Sequence, residues 1–292
     1  MSDVAQLRSG KGHRDENFPV ASLLIRPRHR PVVLAFYEFV RTADDVADHP
    51  SLTERAKLDL LDRLEDGLIG KGEATHEARR LQQALAERQL SPRHAQDVLH
   101  AFRMDVGKAR YRDWDDLMAY CSYSAMPVGR FVLDAHGESR ATWPASDALC
   151  AALQVINHLQ DCGDDYRQLN RVYIPLEVFS RFGANVEALS QSTASPALLR
   201  CIRELAQHAA QLVREAEPLA MLVTDRRLSL EISVIHRLAK ALTDRLSRID
   251  PLSERAHLTA VGTAGLSILA LAHGLTRRTA RRAAATDKVA PS

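Results

Sequence analysis

The segment YEFVRTADDVADHP, residues 37–50, sets carboxylates on a stretch that otherwise has the composition of a buried helix. Its Tyr37, Arg41, Asp44 and Asp48 follow one another at spacings of four, three and four residues. Those spacings place the four side chains on one face of an α-helix. A carboxylate in an apolar segment is unfavourable unless something neutralises it. The segment therefore predicts a long helix whose aspartates face a cationic partner.

A second segment, LQVINHLQDCGDDYRQLNRVYIP at residues 153–175, carries a matching stripe. Its members, at spacings of three, four and four residues, are Gln154, Asn157, Asp161 and Asp165. A single pair of aspartates one turn apart is usually a solvated helix surface. Two matched pairs within apolar helices instead predict that the stripes face each other across a shared site, where divalent cations balance their charge. Ligands that are oxygen alone favour Mg²⁺, or Mn²⁺, over zinc.

Mg²⁺ in such a site points to a diphosphate ligand, because this ion binds few protein carboxylates and completes its shell with water and phosphate oxygens. Three arginines close to the stripes in sequence are candidates for the remaining phosphate charge: Arg41, Arg167 and Arg171. Asp45 and His158 each point about 100° away from their stripe on a helix. Asp45 is therefore assigned a supporting or surface place, and His158 a packing or surface place. A di-iron centre is excluded, since no Glu-x-x-His pair occurs near either stripe.

Helical periodicity extends over almost the whole chain, and no run of alternating β-branched residues indicates a strand. The predicted helices cover residues 19–48, 52–69, 74–88, 91–108, 113–136, 145–167, 196–221, 226–249 and 254–283. Pro127 is expected to break or kink its helix. No composition break or repeat appears, so residues 1–292 are predicted to form one all-α domain, a helical bundle. Without a strand to carry a G-x-G-x-x-G turn, no nicotinamide cofactor is expected.

Composition excludes several classes of protein. Hydrophobic residues make up 46% of the 292, charged residues 26%, and the net charge is +2, which gives no reason to expect a nucleic-acid partner. The four cysteines are far apart without a C-x-x-C pair, which argues against zinc and against disulfides and fits a reducing compartment. The first nineteen residues contain no apolar stretch typical of a secretory signal. A cytoplasmic location is the expectation, and the oligomeric state is left open.

The C-terminal part differs from the rest. Residues 258–275 carry no formal charge and are followed by the basic run TRRTARR at 276–282. The first interpretation is a final helix, over 258–283, that packs on the bundle. The second is a helix lying on the inner face of the membrane, with its arginines at anionic headgroups. A membrane span is the third, and the Gly, Thr, Ser and His content weighs against it.

Both acidic segments resemble the signature segments of the squalene/phytoene synthase family, the head-to-head trans-isoprenyl diphosphate synthases. The segment DVGKARYRDWDDLMAYCSYSAMPVGRFVL, residues 105–133, is similar to the block that lies between them in that family. The resemblance covers roughly residues 13–250, and the order and spacing of three long blocks make it specific. The stretch that begins with Glu16-Asn17-Phe18-Pro19-Val20 looks most like the bacterial hopanoid-pathway branch, the hydroxysqualene synthases.

The resemblance implies an all-α isoprenoid-synthase fold with a central cavity, and it assigns roles to individual residues. It implies metal ligation by Asp44, Asp48, Asp161 and Asp165. It implies catalytic roles for Tyr37, Arg41, Tyr120, Asn157 and Tyr173. It implies substrate contacts from Tyr37, Arg41, Tyr120, Val128, Gly129, Gln154, Asn157 and Arg171, and Arg167 is added because it is close to the second stripe in sequence. Asn17 and Phe18 are added to the substrate contacts, although the family usually has serines there and this chain has Asp15 and Asn17.

The implied reaction is the Mg²⁺-dependent ionisation of presqualene diphosphate, rearrangement of its cyclopropane, and capture of the final cation by water to give hydroxysqualene. Aromatic faces that stabilise positive charge would line the cavity. The candidates are Phe18, Phe36, Tyr37, Tyr120 and Phe131, for each of which ordinary core packing is the alternative. Two other functions stay open. One is a condensing synthase of the same family that makes presqualene diphosphate, squalene or phytoene from two prenyl diphosphates, and the other is a non-catalytic helical protein for binding or assembly.

Overall fold

The computed structural model describes residues 25–254 and residue 256. Within them the chain forms helices and no β-strand, and an isolated parallel bridge joins Arg110 to Val172. The helices are α1 (Arg30–Asp48), α2 (Glu54–Leu68), α3 (His76–Glu87), α4 (Arg93–Gly107), α5 (Trp114–Ser124), α6 (Met126–His136), α7 (Trp143–Gln160), α8 (Cys162–Leu169), α9 (Leu176–Phe182), α10 (Pro196–Glu215), α11 (Leu219–Leu222) and α12 (Arg226–Leu246). The predicted all-α class is confirmed.

The helix boundaries differ from the predicted ones at several places. Residues 25–29 are not helical, so α1 begins at Arg30, where a proline occupies the first turn. The predicted helix over 113–136 divides at Ala125 into α5 and α6, and Pro127 in the first turn of α6 explains the break. The predicted helix over 145–167 divides at Asp161. Helix α9 was not predicted, because seven residues are too few for a clear periodicity.

The C-terminal segment 258–283 lies outside the described residues, so its three interpretations stay open. No helix in the described part of the chain is long and apolar enough to cross a bilayer. Each of the four cysteines is free, as the sequence predicts.

The hydrophobic core consists of two clusters. One is built mainly from α1 to α4 and includes Phe36 and Phe39. The other is built from the helices that follow and includes Leu149 and Leu228. Helix α6 belongs to both clusters, since Phe131 packs in the first and Leu133 in the second. A cavity forms where the two clusters meet, because side chains from both line it.

Gly129 allows α6 to approach α7 closely. A Cβ atom at this position would lie 2.5 Å from the Sγ atom of Cys150 and 2.5 Å from the Oγ atom of Ser146. Gly129→Ala is therefore expected to force the helices apart and to lower the free energy of unfolding by about 1–3 kcal/mol. Thermal unfolding measures this loss. Gly107→Ala is the matched control, because its Cβ atom would meet nothing within 4 Å, and equal melting temperatures for the two variants would contradict the assignment.

Candidate active site

The cavity between the two clusters has a volume of about 260 Å³ and an almost wholly apolar wall. Three of the residues predicted to contact substrate line it, namely Tyr37, Val128 and Gly129. Phe36 and Phe131 also line it and stack on each other with ring centroids 3.9 Å apart. Two of the predicted aromatic faces thus both pack in the core and face the cavity.

The first acidic stripe begins one helical turn beyond Tyr37. The guanidinium of Arg41 contacts two carboxylates at 3.0 Å each, those of Asp44 and Asp45. The side chain of Asp44 is 33% exposed, whereas that of Asp45 is 7% exposed. Asp45 is therefore not a surface residue. It is the buried partner that holds Arg41 in place, which leaves Asp44 and Asp48 as the accessible carboxylates of the stripe.

Arg171 joins the second signature segment to the first. Its Nη1 atom lies 2.6 Å from the Oδ1 atom of Asp48, and its side chain is nearly buried. Arg171 was expected to bind phosphate, and here its charge balances a carboxylate of α1. A buried arginine that contacts an accessible aspartate can exchange that partner for another anion.

Asp105, at the end of α4, is a functional candidate that sequence reasoning missed. Its buried carboxylate accepts a hydrogen bond from the hydroxyl of Tyr120 at 2.9 Å and faces the hydroxyl of Tyr173 at 3.5 Å. Burial raises the pKa of Asp105 to about 6, although the charge of Arg171 and the Tyr120 hydrogen bond oppose the rise. The sequence holds no spacing signal for Asp105, since no other acidic residue lies one turn away from it on α4. Asp105 thus holds the hydroxyl of Tyr120 and brings it close to that of Tyr173, the two tyrosines with predicted catalytic roles.

The second stripe crosses a break in the helix. Asp161 separates α7 from α8, yet its N–H donates to the carbonyl of Asn157 at 3.0 Å, and its own carbonyl accepts from the N–H of Asp165 at 2.8 Å. The helical register therefore continues through the break. The sequence predicted one continuous helix for this stripe. The structure instead has two helical segments, α7 and α8, whose stripe residues stay on the same face.

His158 lies within this site, although it was assigned a packing or surface place. Its ring stacks on Tyr173 with centroids 3.4 Å apart. Its Nδ1 atom is 3.8 Å from the Oδ2 atom of Asp165, and its Nε2 atom is 3.0 Å from the amide of Gln154. His158 thus links the second stripe, through Tyr173, to the carboxylate of Asp105.

Arg167 does not contact the aspartates of the two stripes in the ion pairs of the described residues. Its guanidinium pairs with Asp164 at 2.7 Å and reaches the carbonyl of Leu189 at 3.4 Å. The physical reason is helical geometry, since residues 165 and 167 are about 200° apart around a helix. Its predicted substrate contact is therefore not supported by its position. Asn17 and Phe18 lie outside the described residues.

The donor set fits Mg²⁺ in its chemistry, although no group of three or more His, Cys, Asp or Glu side chains within the described residues is arranged to hold a metal. Mg²⁺ needs only one or two protein carboxylates when phosphates and water complete its shell. The side chain of Asp44 is partly shielded from solvent, and this loss of hydration together with the neighbouring Asp48 raises its pKa to about 7, while Arg41 opposes the rise. The negative charge at Asp44 is thus only partly balanced, and an additional cation would stabilise it.

Comparison with known proteins agrees with this geometry. The family model described as squalene/phytoene synthase matches residues 12–261. The chain is 56% identical to a hydroxysqualene synthase of Rhodopseudomonas palustris and 53% identical to one of Sinorhizobium fredii, in each case over 95% of both chains. It is 33% identical to the crystal structure of squalene synthase HpnC from Alicyclobacillus acidocaldarius, with a TM-score of 0.71 over 84% of this chain and 92% of that one.

These matches extend over most of the chain and include all three sequence blocks that carry the resemblance. The segments that carry the two acidic stripes thus lie within the part of the chain that matches this enzyme family. The chain belongs to the squalene/phytoene synthase family.

Proposed function

We propose that this enzyme converts presqualene diphosphate into hydroxysqualene. The observation that carries the proposal is an apolar cavity whose wall includes Tyr37, one turn from the acidic stripe of α1. Such a cavity accepts an isoprenoid chain, and the stripe lies where its diphosphate would be. Relatives named hydroxysqualene synthase, at 56% and 53% identity, support the choice of reaction.

The diphosphate end is assigned to the two stripes and their arginines. Asp44, Asp48, Asp161 and Asp165 would hold Mg²⁺, or Mn²⁺, together with the substrate oxygens. When bound, the ion supplies the positive charge that stabilises the departing diphosphate. Arg41 is fixed by Asp45 and is thus held ready for a diphosphate oxygen. Arg171 becomes available to the substrate when another cation takes over Asp48.

The residues around the cavity are assigned to the carbocation that forms after the diphosphate leaves. Tyr120 and Tyr173 are positioned by Asp105, and His158 stacks on Tyr173. Neither tyrosine lines the cavity; the aromatic rings that do, Phe36, Tyr37 and Phe131, provide the electron density that stabilises positive charge. The apolar cavity excludes bulk water, so that the cyclopropane rearranges before capture. Asn157, a member of the second stripe, is assigned to the polar boundary of the cavity.

Binding of Mg²⁺ should weaken below neutral pH. Because the pKa of Asp44 is raised to about 7, protons compete with the cation for this carboxylate below pH 7, and above it the carboxylate is free to bind. The half-saturating Mg²⁺ concentration is expected to rise up to about tenfold per pH unit below 7. Activity measured against Mg²⁺ concentration at pH 6 and pH 8 tests this, and equal half-saturation at both would contradict it.

Incubation with presqualene diphosphate and Mg²⁺, without a reductant, tests the function. Mass spectrometry of the organic extract is expected to find a hydroxylated C30 product. A parallel incubation with farnesyl diphosphate separates the alternative within the family. Consumption of farnesyl diphosphate alone, with presqualene diphosphate untouched, would show a condensing synthase instead.

Contact with the membrane is a second part of the proposal. The basic run at 276–282 follows an uncharged segment, a pattern that suits anionic headgroups. Cosedimentation of the full chain with vesicles containing phosphatidylglycerol tests it, and vesicles of phosphatidylcholine alone are the control. Equal recovery with both vesicles would oppose an electrostatic contact.

A further inference from the structure

Arg110 lies in the connection between α4 and α5, and it contacts the turn that follows α8. Its Nη1 atom donates to the main-chain carbonyls of Asn170 and, at 2.7 Å, of Ala109, and its Nη2 atom donates to the side-chain carbonyl of Asn170 at 2.7 Å. Its guanidinium also lies 5.9 Å from the ring centroid of Tyr166. Within the described residues its hydrogen bonds all go to uncharged oxygens, so Arg110 acts there as a forked donor and not as half of an ion pair.

Asn170 has a backbone conformation that makes this contact informative. It follows the last residue of α8 with a φ of 51°, in the left-handed region that glycine adopts most readily. Glycine would fit the turn with less strain, but it would lack the carboxamide that Arg110 contacts. The N–H of Asn170 bonds to the carbonyl of Tyr166 at 3.1 Å, and both of its oxygens accept from Arg110. The asparagine therefore ends the helix and also provides a fixed point for the arginine.

The next residue along the chain is Arg171, whose guanidinium lies at the acidic stripe of α1. Its Nη1 atom is 2.6 Å from the Oδ1 atom of Asp48, and its side chain is only 10% exposed. One residue further, Val172 pairs with Arg110 in the isolated parallel bridge. The backbone of Arg171 is thus held on both sides, by the Asn170 turn before it and by the bridge after it. The direction in which its side chain leaves the backbone depends on both contacts.

We propose that Arg110 is a positioning residue of the diphosphate site and that it acts through Arg171. By fixing the Asn170 turn, it sets the path of the chain from which Arg171 reaches Asp48 and from which it would reach a diphosphate oxygen. The inference rests on the proposed function for the identity of the substrate, although it applies to any prenyl diphosphate bound at the two stripes. Catalysis is sensitive to such positioning, because a displacement of about 1 Å can lower a rate about 100-fold. Arg110 itself is assigned no contact with the substrate.

The first test measures diphosphate release by the wild type and by Arg110→Gln with Mg²⁺, using presqualene diphosphate and, in parallel, farnesyl diphosphate. The kcat/KM of the variant is expected to fall about 10- to 100-fold. Arg110→Lys should recover part of this loss, because its ammonium can still donate to the carbonyl of Asn170 but lacks the fork. Asn170→Gly keeps the left-handed turn and removes only the side-chain carbonyl, so it should lose less activity than Arg110→Gln.

Combination with Arg171→Met separates positioning from a general structural role. In the Arg171→Met background, adding Arg110→Gln should change kcat/KM by less than about threefold, because the side chain through which Arg110 acts is already absent. Urea unfolding without substrate or Mg²⁺ gives a second readout. The shift in unfolding midpoint caused by Arg171→Met should be smaller in the Arg110→Gln protein than in the wild type, since Arg171 is then less well placed against Asp48.

Arg112→Gln is the matched control in the same connection. The side chain of Arg112 is 81% exposed and pairs with Asp113 at 2.6 Å, so its replacement removes a charge without touching the Asn170 turn. Its kcat/KM should equal that of the wild type. Melting temperatures of all variants show whether any has lost its fold, and Arg110→Lys and Asn170→Gly carry the same comparisons if Arg110→Gln does not fold.

Two results would overturn the inference. Wild-type kcat/KM in Arg110→Gln would show that Arg171 keeps its place without this contact. Equal losses from Arg110→Gln in the presence and in the absence of the Arg171 side chain would show that Arg110 supports the fold in general. If the wild type releases diphosphate from farnesyl diphosphate alone, the proposed function fails, and the same variants then test the role of Arg110 on that substrate.

Discussion

Replacing Asp44 with Asn is expected to lower formation of hydroxysqualene about 1000-fold. The change removes a carboxylate proposed to bind Mg²⁺, the ion that would stabilise the negative charge developing on the diphosphate as it leaves. Asp44 is accessible, and Arg41 balances its charge only in part, as its raised pKa shows. Melting temperature should change little, since the amide keeps the shape and removes an unfavourable charge. Steady-state release of diphosphate from presqualene diphosphate measures the loss.

Asp45→Asn is the control within the same helix turn. Asp45 is buried and contacts Arg41, so its replacement loosens the arginine without removing an accessible carboxylate. Activity should fall about tenfold, as expected for a positioned ion pair worth about 1.4 kcal/mol. Equal losses in the two variants would contradict the division of the stripe into an accessible face and a supporting face.

Replacing Arg171 with Met is expected to damage both stability and activity. The side chain is nearly buried, and it pairs with Asp48 and faces Asp105. Removing the cation leaves these carboxylates uncompensated, at about 3 kcal/mol of unfolding free energy, at the lower end for a buried pair because Asp48 is 36% exposed. Urea unfolding measures the loss, and Mg²⁺ should restore part of it by binding the native state.

Arg181→Met is the matched control for charge removal. Arg181 pairs with Glu177 and Glu204, but its side chain is 52% exposed. An exposed pair contributes about 0–1 kcal/mol, and activity should be unchanged. If Arg171→Met were no less stable than Arg181→Met, the role of Arg171 as a buried counter-ion would be wrong.

The fold class, the family and the reaction were predictable from sequence, because stripes on a helix have a fixed period and the motifs occur in a fixed order. The relatives named hydroxysqualene synthase confirm the predicted branch. The roles of the individual site residues stay predictions. The position of Arg167 away from Asp165 was predictable from helical geometry alone, since the two residues are about 200° apart around the helix.

Asp105 shows why the rest could not be predicted. It is a single carboxylate on an otherwise ordinary helix, without a second acidic residue one turn away on the same face to mark it. Its significance comes from Tyr120 on α5 and from Tyr173 in the segment between α8 and α9. Such neighbours depend on packing, which periodicity along one helix does not encode.

The contact between Asp48 and Arg171 joins residues 123 positions apart. Closing so long a loop is entropically unfavourable and slow compared with forming local helical contacts. Helices α1 to α4 can therefore pack among themselves before the chain reaches Arg171. Recovery of catalytic activity during refolding should lag behind recovery of helical circular dichroism, so that the enzyme's own turnover reports the formation of this long-range contact.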